Sequence, residues 1–238
     1  MKQLLRLIKG EFKRLICYKI LHISLLVSAL WVVIILLLNK DDVVGIVPSL
    51  ILMDSAMMSI ILLASSYFFE KQENTIKTLL VTPVETWQIL LAKVISVATL
   101  GLSSGIIVVL TLGIGFGLWV QWALLLMYIV LIVTSHTAIG MLITMYSKDF
   151  STMLTNYMLF AIVTIIPTFL LGFGVIPENW ELFMLVSPTQ GADVLIGSIF
   201  TEGEPVKIAI SIGYLFLLSI LLYPLVVYPQ YKRIILEG

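Results

Sequence analysis

The sequence predicts an all-α integral membrane protein with six transmembrane helices. Three observations carry this. Of its 238 residues 60% are hydrophobic and only 12% charged, against about 25% charged in a soluble domain. Six apolar runs match the roughly 20 residues that a helix needs to cross a bilayer core. The basic residues also sort to one side of those runs: of 14 Lys and Arg, all but Lys40 and Lys207 fall on the side of the two chain ends. By the positive-inside rule both termini are expected in the cytoplasm and the chain in the cell membrane as a multi-pass protein. A formal net charge of zero gives no case for nucleic acid as a partner. The single cysteine, Cys17, excludes an internal disulfide and any cysteine-built zinc site.

The elements follow in order within one domain, 1–238. Over residues 1–17, Leu4, Leu5, Ile8, Phe12, Leu15 and Ile16 share one helical face and Lys2, Arg6, Lys9 and Lys13 the opposite one, with Leu7 and Glu11 breaking the pattern. This predicts an amphipathic elbow helix lying in the interface, its basic side toward anionic lipid headgroups. The six spans are read at 20–38, 49–69, 89–118, 122–145, 153–175 and 206–228. The first reads as a retained span rather than a cleavable signal, because Asn39-Lys40-Asp41-Asp42 follows it with no small-residue cleavage site. The third is long enough to tilt.

Between spans two and three the chain turns polar, with Glu70, Lys71, Glu73, Lys77, Glu85 and Lys93 among apolar neighbours. Asn74 or Thr75 suits the cap of a short helix over 75–81, in which Ile76, Leu79 and Leu80 share a face. Thr82, Pro83 and Glu85 then read as N-cap, first turn and capping-box residue of a new helix leading into span three. So the region 70–88 is expected to build a separate, rigid surface element. The outer segment 176–205 is too short to span; Ser187-Pro188 starts a helix within it, and a pair of short helices dipping into the outer leaflet is expected.

Candidate chemistry is sparse. No Gly-x-x-x-x-Gly-Lys-[Ser/Thr] run exists to cradle ATP phosphates. Gly101-Leu-Ser-Ser-Gly105 fits the nucleophile-elbow pattern around Ser103, with His136 as an imaginable base, which opens a reading as an intramembrane serine hydrolase. The same residues form a Gly-x-x-x-Gly seam for close helix packing, as do Gly113 and Gly117. Packing is the expected role of all four glycines. Asp54 and His136 lie at membrane depth, where ionisable groups are expensive and raise the question of function. Each is a candidate for a translocation path or a dimer interface, or else for an internal hydrogen bond. No cluster of His, Asp or Glu has metal-ligand spacing.

The stretch FEKQENTIKTLLVTPVETWQILLAKVI resembles the signature region of ABC type-2 transporter permeases: a Glu-rich turn (Glu70, Glu73), a Thr-containing helix (Thr75), Leu79-Leu80, Thr82-Pro83-Val84, then Ile89-Leu90 and Lys93. Asn74 stands where that pattern usually has Gly, and Lys77 where it has an acidic residue. The segment 169–200 is similar to the family's fifth span and outer helix pair. The resemblance implies a permease subunit that carries no ATPase site of its own. A separate ABC ATPase subunit, holding ATP and Mg, would dock on a coupling helix through Glu70, Glu73, Thr75, Ile76, Thr78, Leu79, Leu80 and Pro83. A second permease chain, identical or related, would complete the path. Export of an amphipathic or hydrophobic cargo is the expected activity, such as a drug, antibiotic or lipid. A membrane scaffold that borrows an ATPase without transporting is the remaining alternative.

Overall fold

The computed structural model of the protein describes residues 2–75 and 84–237. All regular structure among them is helical: α1 Lys2–Cys17, α2 Ile20–Leu37, α3 Lys40–Leu52, a π-helical stretch Met53–Met58, α4 Ser59–Gln72, α5 Thr86–Phe116, α6 Trp122–Met145, α7 Phe150–Gly172, a 3-10 turn Glu178–Trp180, α8 Glu181–Met184, α9 Pro188–Phe200, α10 Pro205–Leu222, a second π-helical stretch Tyr223–Val227, and α11 Tyr228–Glu237. Six helices among the described residues are long and apolar enough to cross a membrane: Ile20–Leu37, Asp42–Gln72, Thr86–Phe116, Trp122–Met145, Phe150–Gly172 and Pro205–Ile234.

Local chemistry explains most of the boundaries. The elbow between α1 and α2 is made by Lys19, held at φ 60, a left-handed conformation uncommon for a non-glycine residue. Asp149 caps α7 by accepting a 2.7 Å hydrogen bond from the Thr152 backbone N–H. Gly117 ends α5 at φ 69. Its N–H donates to the Gly113 carbonyl at 3.1 Å, the single 5→1 bond of an αL cap, while the N–H of Leu118 reaches back to the Leu112 carbonyl, also at 3.1 Å.

Three expected boundaries move. The second spanning helix starts at Lys40 rather than 49, running through Pro48 and the π-helical stretch without interruption. Proline inside a membrane helix is tolerated because neighbouring groups take up the freed backbone carbonyl. Helix α5 starts at Thr86, not Pro83: Val84 is not helical and Glu85 stands extended as the N-cap, so Glu85 is not a capping-box residue. The outer segment holds one full helix, α9; its expected partner is only a 3-10 turn, Glu178–Trp180, continued by the four residues of α8.

The core forms where α5 packs along α6 and α2, and where α4 packs on α6. Helix α1 lies against α5. Helix α9 is wedged among α10, α3, α6 and α7, with its first turn, Pro188–Gln190, buried.

Candidate functional site

The expected docking segment is only framed by the structure. Ile76, Thr78, Leu79, Leu80 and Pro83 lie outside the described residues. Its two flanks, the end of α4 and the start of α5, are described, and both are bound to α1. Asn74 leaves α4 at φ 55, and the Thr75 hydroxyl donates to the Glu70 carbonyl at 3.0 Å. Glu73 stays exposed and accepts a 2.5 Å hydrogen bond from the Tyr18 hydroxyl at the elbow, while the Tyr18 ring stacks on Phe69. Burial, and then this bond to Glu73, raise the Tyr18 phenol above its ordinary value. On the other side, Lys71 donates to the Lys148 carbonyl at 3.1 Å, which ties the end of α4 to the turn between α6 and α7.

Below these flanks lies a buried knot of four charges. Lys93 of α5, only 2% exposed, puts its Nζ 2.5 Å from Glu70 Oε1 of α4 and 3.2 Å from Glu11 Oε1 of α1. Arg14 pairs with Glu11 and sets its Nε 3.2 Å from Glu70 Oε1. Two cations meet two anions, so the knot is neutral. Burial works against the Arg14 charge, but Glu11 and Glu70 outweigh it and hold the guanidinium above its ordinary value. The buried Tyr231 of α11 faces both carboxylates. Four separate helices therefore meet at one electrostatic point.

This corrects two readings. Glu70, expected on a docking face, turns inward and is 2% exposed, so it offers no surface to a partner. Glu11, an exception in the amphipathic pattern, is what joins α1 to the bundle. The signal was present in the sequence: Glu11 beside the apolar face, Glu70 ending an apolar run and Lys93 inside a span. Opposite charges in apolar positions are rarely buried unless paired.

The remaining candidates separate. Asp54 sits in the π-helical stretch, part-buried, and accepts a 3.1 Å hydrogen bond from Trp31 Nε1 of α2. His136 is 0% exposed, with Nδ1 2.9 Å from the Ile132 carbonyl and Nε2 unpartnered among the described residues. Ser103 lies inside the unbroken helix α5, and its hydroxyl donates to the Leu100 carbonyl at 2.7 Å. The strand–turn–helix that a nucleophile elbow requires is therefore missing at that position. Gly101 and Gly105 face α6: a Cβ on Gly101 would lie 2.9 Å from Val133, and one on Gly105 would strike Ile129. Gly113 and Gly117 do not form a second seam. Gly113 is covered by the Trp119 ring, 2.7–2.8 Å from an added Cβ, and Gly117 has nothing within 4 Å; its role is the helix cap.

With six spanning helices and this clamp at the polar turn in view, comparison with known families decides the identity. The family model described as ABC-2 family transporter protein matches residues 39–228, well over half the chain. The chain belongs to the ABC-2 family of transporter proteins. As an ABC-2 family protein it is a transmembrane permease component of an ABC transporter, of a kind that normally works with an ATPase partner. None of the curated proteins compared matches it at a significant level. The matched region contains Glu70 and Lys93 but begins after α1 and α2, so the ABC-2 region contributes one side of the charge knot and the N-terminal helix the other.

Proposed function

We propose that this protein is the membrane half of an ATP-driven exporter whose motor is a separate ABC ATPase docked at the turn between α4 and α5. The observation that carries this reading is the four-charge knot. A force applied to residues 75–83 enters the bundle through the ends of α4 and α5. Those ends are joined to each other by the 2.5 Å Lys93–Glu70 pair and to α1 by Glu11 and Arg14. They therefore move as one body, as a lever in a two-state transition must. The docking contact falls to Glu73, Thr75, Ile76, Thr78, Leu79, Leu80 and Pro83. ATP and Mg act on the partner subunit.

A second permease chain, identical or related, completes the path. Helix α7 is the natural seam, since it leaves Met158, Leu159, Ile162, Val163 and Ile166 exposed within one chain. Asp54 is the polar group placed to meet cargo or the second chain; His136 acts as a packing residue. The shortage of polar side chains in the spans favours an amphipathic or hydrophobic cargo, such as a drug, antibiotic or lipid. Helix α9 with α8 forms the outer re-entrant element, and both termini lie in the cytoplasm.

The test is co-expression with an ABC ATPase and affinity purification of the pair. Leu79→Asp with Leu80→Asp should abolish co-purification while the permease still folds. Retention of the ATPase in that variant would overturn the docking assignment. ATP-dependent accumulation of cargo in inverted vesicles separates an exporter from a scaffold that only binds the motor.

A further inference from the structure

A cavity among the described residues shares no lining residue with the charge knot or with Asp54. It is a groove of about 810 Å³ between α5, α6 and α10, continuing over the second π-helical stretch to Tyr228. Each helix gives it one continuous stripe: Trp87 and Leu91 of α5, Met127 and Val130 of α6, Phe216 and Ile220 of α10. Such i, i+3, i+4 spacing places a stripe on one helical face. Along the last spanning helix the groove runs from Ile212 to Tyr228. That is roughly 24 Å at 1.5 Å per residue, most of the ~30 Å hydrocarbon core.

Of the five hydroxyls in its lining, three are already bonded within the protein. Thr134 donates to the Val130 carbonyl at 2.7 Å, Ser219 to the Leu215 carbonyl at 2.9 Å, and the Tyr223 hydroxyl is bonded to Thr137 at 2.8 Å. An occupant therefore finds mainly shape and apolar contact along the groove, with only the Tyr128 and Tyr228 hydroxyls left without a partner among the described residues. At the end nearest the chain termini the character changes. Trp87 and Tyr228 bring amphipathic rings of the kind that settle at the headgroup level. Lys232 stands one turn beyond Tyr228, on the same face of α11. It is exposed and makes no ion pair among the described residues.

We infer that this groove holds an acyl chain of an anionic phospholipid from the leaflet on the side of the chain termini, with the lipid phosphate at Lys232. A long thin apolar channel with Lys232 beyond its end matches a hydrocarbon tail below an anionic head. A juxtamembrane Lys or Arg attracts anionic lipid by about 1 kcal/mol, near a fivefold preference. The inference rests on the membrane-spanning reading alone and needs neither the ATPase nor any cargo, so it can fail while the transporter proposal stands.

The experiment uses Trp87 as the reporter. The full chain with Trp31, Trp119, Trp122 and Trp180 changed to Phe is reconstituted in phosphatidylcholine vesicles. Trace brominated phosphatidylglycerol or brominated phosphatidylcholine is added at equal mole fraction. Quenching by the anionic lipid should exceed that by the neutral lipid at least threefold, and Lys232→Gln should bring the two together. Equal quenching in the unmodified Lys232 background would overturn the headgroup assignment. Absence of quenching by either lipid would mean that protein, such as a second copy, covers the groove, and would overturn the proposal altogether. Native mass spectrometry of the wild-type chain gives a second reading that needs no Trp replacements. Retained anionic phospholipid should be lost in Val130→Phe, which fills the groove; persistence of the same lipid in that variant would also count against the site.

Discussion

Replacing Lys93 by Met probes the charge knot most directly. Met keeps the length of the side chain and removes the charge. Glu11 and Glu70, each with side chains 3% exposed, then face each other across a dry site with only Arg14, 31% exposed, to balance them. Removing one partner from a buried ion network costs about 3–5 kcal/mol, because the remaining charge is left desolvated. For a chain of this size each kcal/mol corresponds to roughly 2–4 °C in Tm, so Lys93→Met should melt about 6–20 °C below the wild type in detergent. Adding Glu70→Gln restores neutrality, leaving Glu11 paired with Arg14. The double variant should therefore be less destabilised than the sum of its two single changes, with a coupling energy in the range of about 0.5–3 kcal/mol seen for residues that share a network. Thermal unfolding followed by intrinsic fluorescence measures all four proteins. Additivity of the two changes, or a loss below about 1 kcal/mol for Lys93→Met alone, would refute the view that these groups act as one buried network.

Three further outcomes are expected. Gly105→Val should destabilise by about 1–3 kcal/mol through overpacking against Ile129, read as a lowered Tm; an unchanged Tm would mean that α5 and α6 do not approach as closely as described. Asp149 caps α7, and the Thr152 backbone N–H that it accepts holds its carboxyl below the usual range. The cap's contribution is thus complete above the unfolded value near 3.9 and fades as pH falls through the lowered folded value; Asp149→Asn, which caps without titrating, should show a flatter Tm against pH in that window, and parallel curves would argue against the cap. Ser103→Ala should leave transport unchanged, since its hydroxyl only serves the Leu100 carbonyl; loss of function in a folded, correctly inserted variant would revive the hydrolase reading.

Membrane class and span number were legible in the sequence because they depend on local composition alone. A run of about 20 apolar residues must become a helix in lipid, where every backbone polar group needs an internal partner. Helix α9 was legible for a related reason, Ser187-Pro188 being a local start signal. The start of α5 was misread because Thr82-Pro83 looks like a helix start by itself, whereas Glu85 is still extended and the helix begins at Thr86. The glycines show the limit of a pattern: four residues apart twice, yet Gly101 and Gly105 meet α6 while Gly113 meets Trp119 and Gly117 reverses the chain.

By itself, then, the sequence determined that the chain is a six-span helical membrane protein with a polar turn between its second and third spans. Only the tertiary structure decided that Glu11, Glu70 and Lys93 are one site, and that Glu70 is internal rather than part of a docking face. Lys93 lies 82 residues from Glu11 and 23 from Glu70. Their meeting is set by how α1, α4 and α5 are rotated and pressed together. Hydropathy reports whether a helix enters the membrane, not which neighbour it turns its charges toward. That choice belongs to packing, where an ion that has lost its water must find its counter-ion on another helix.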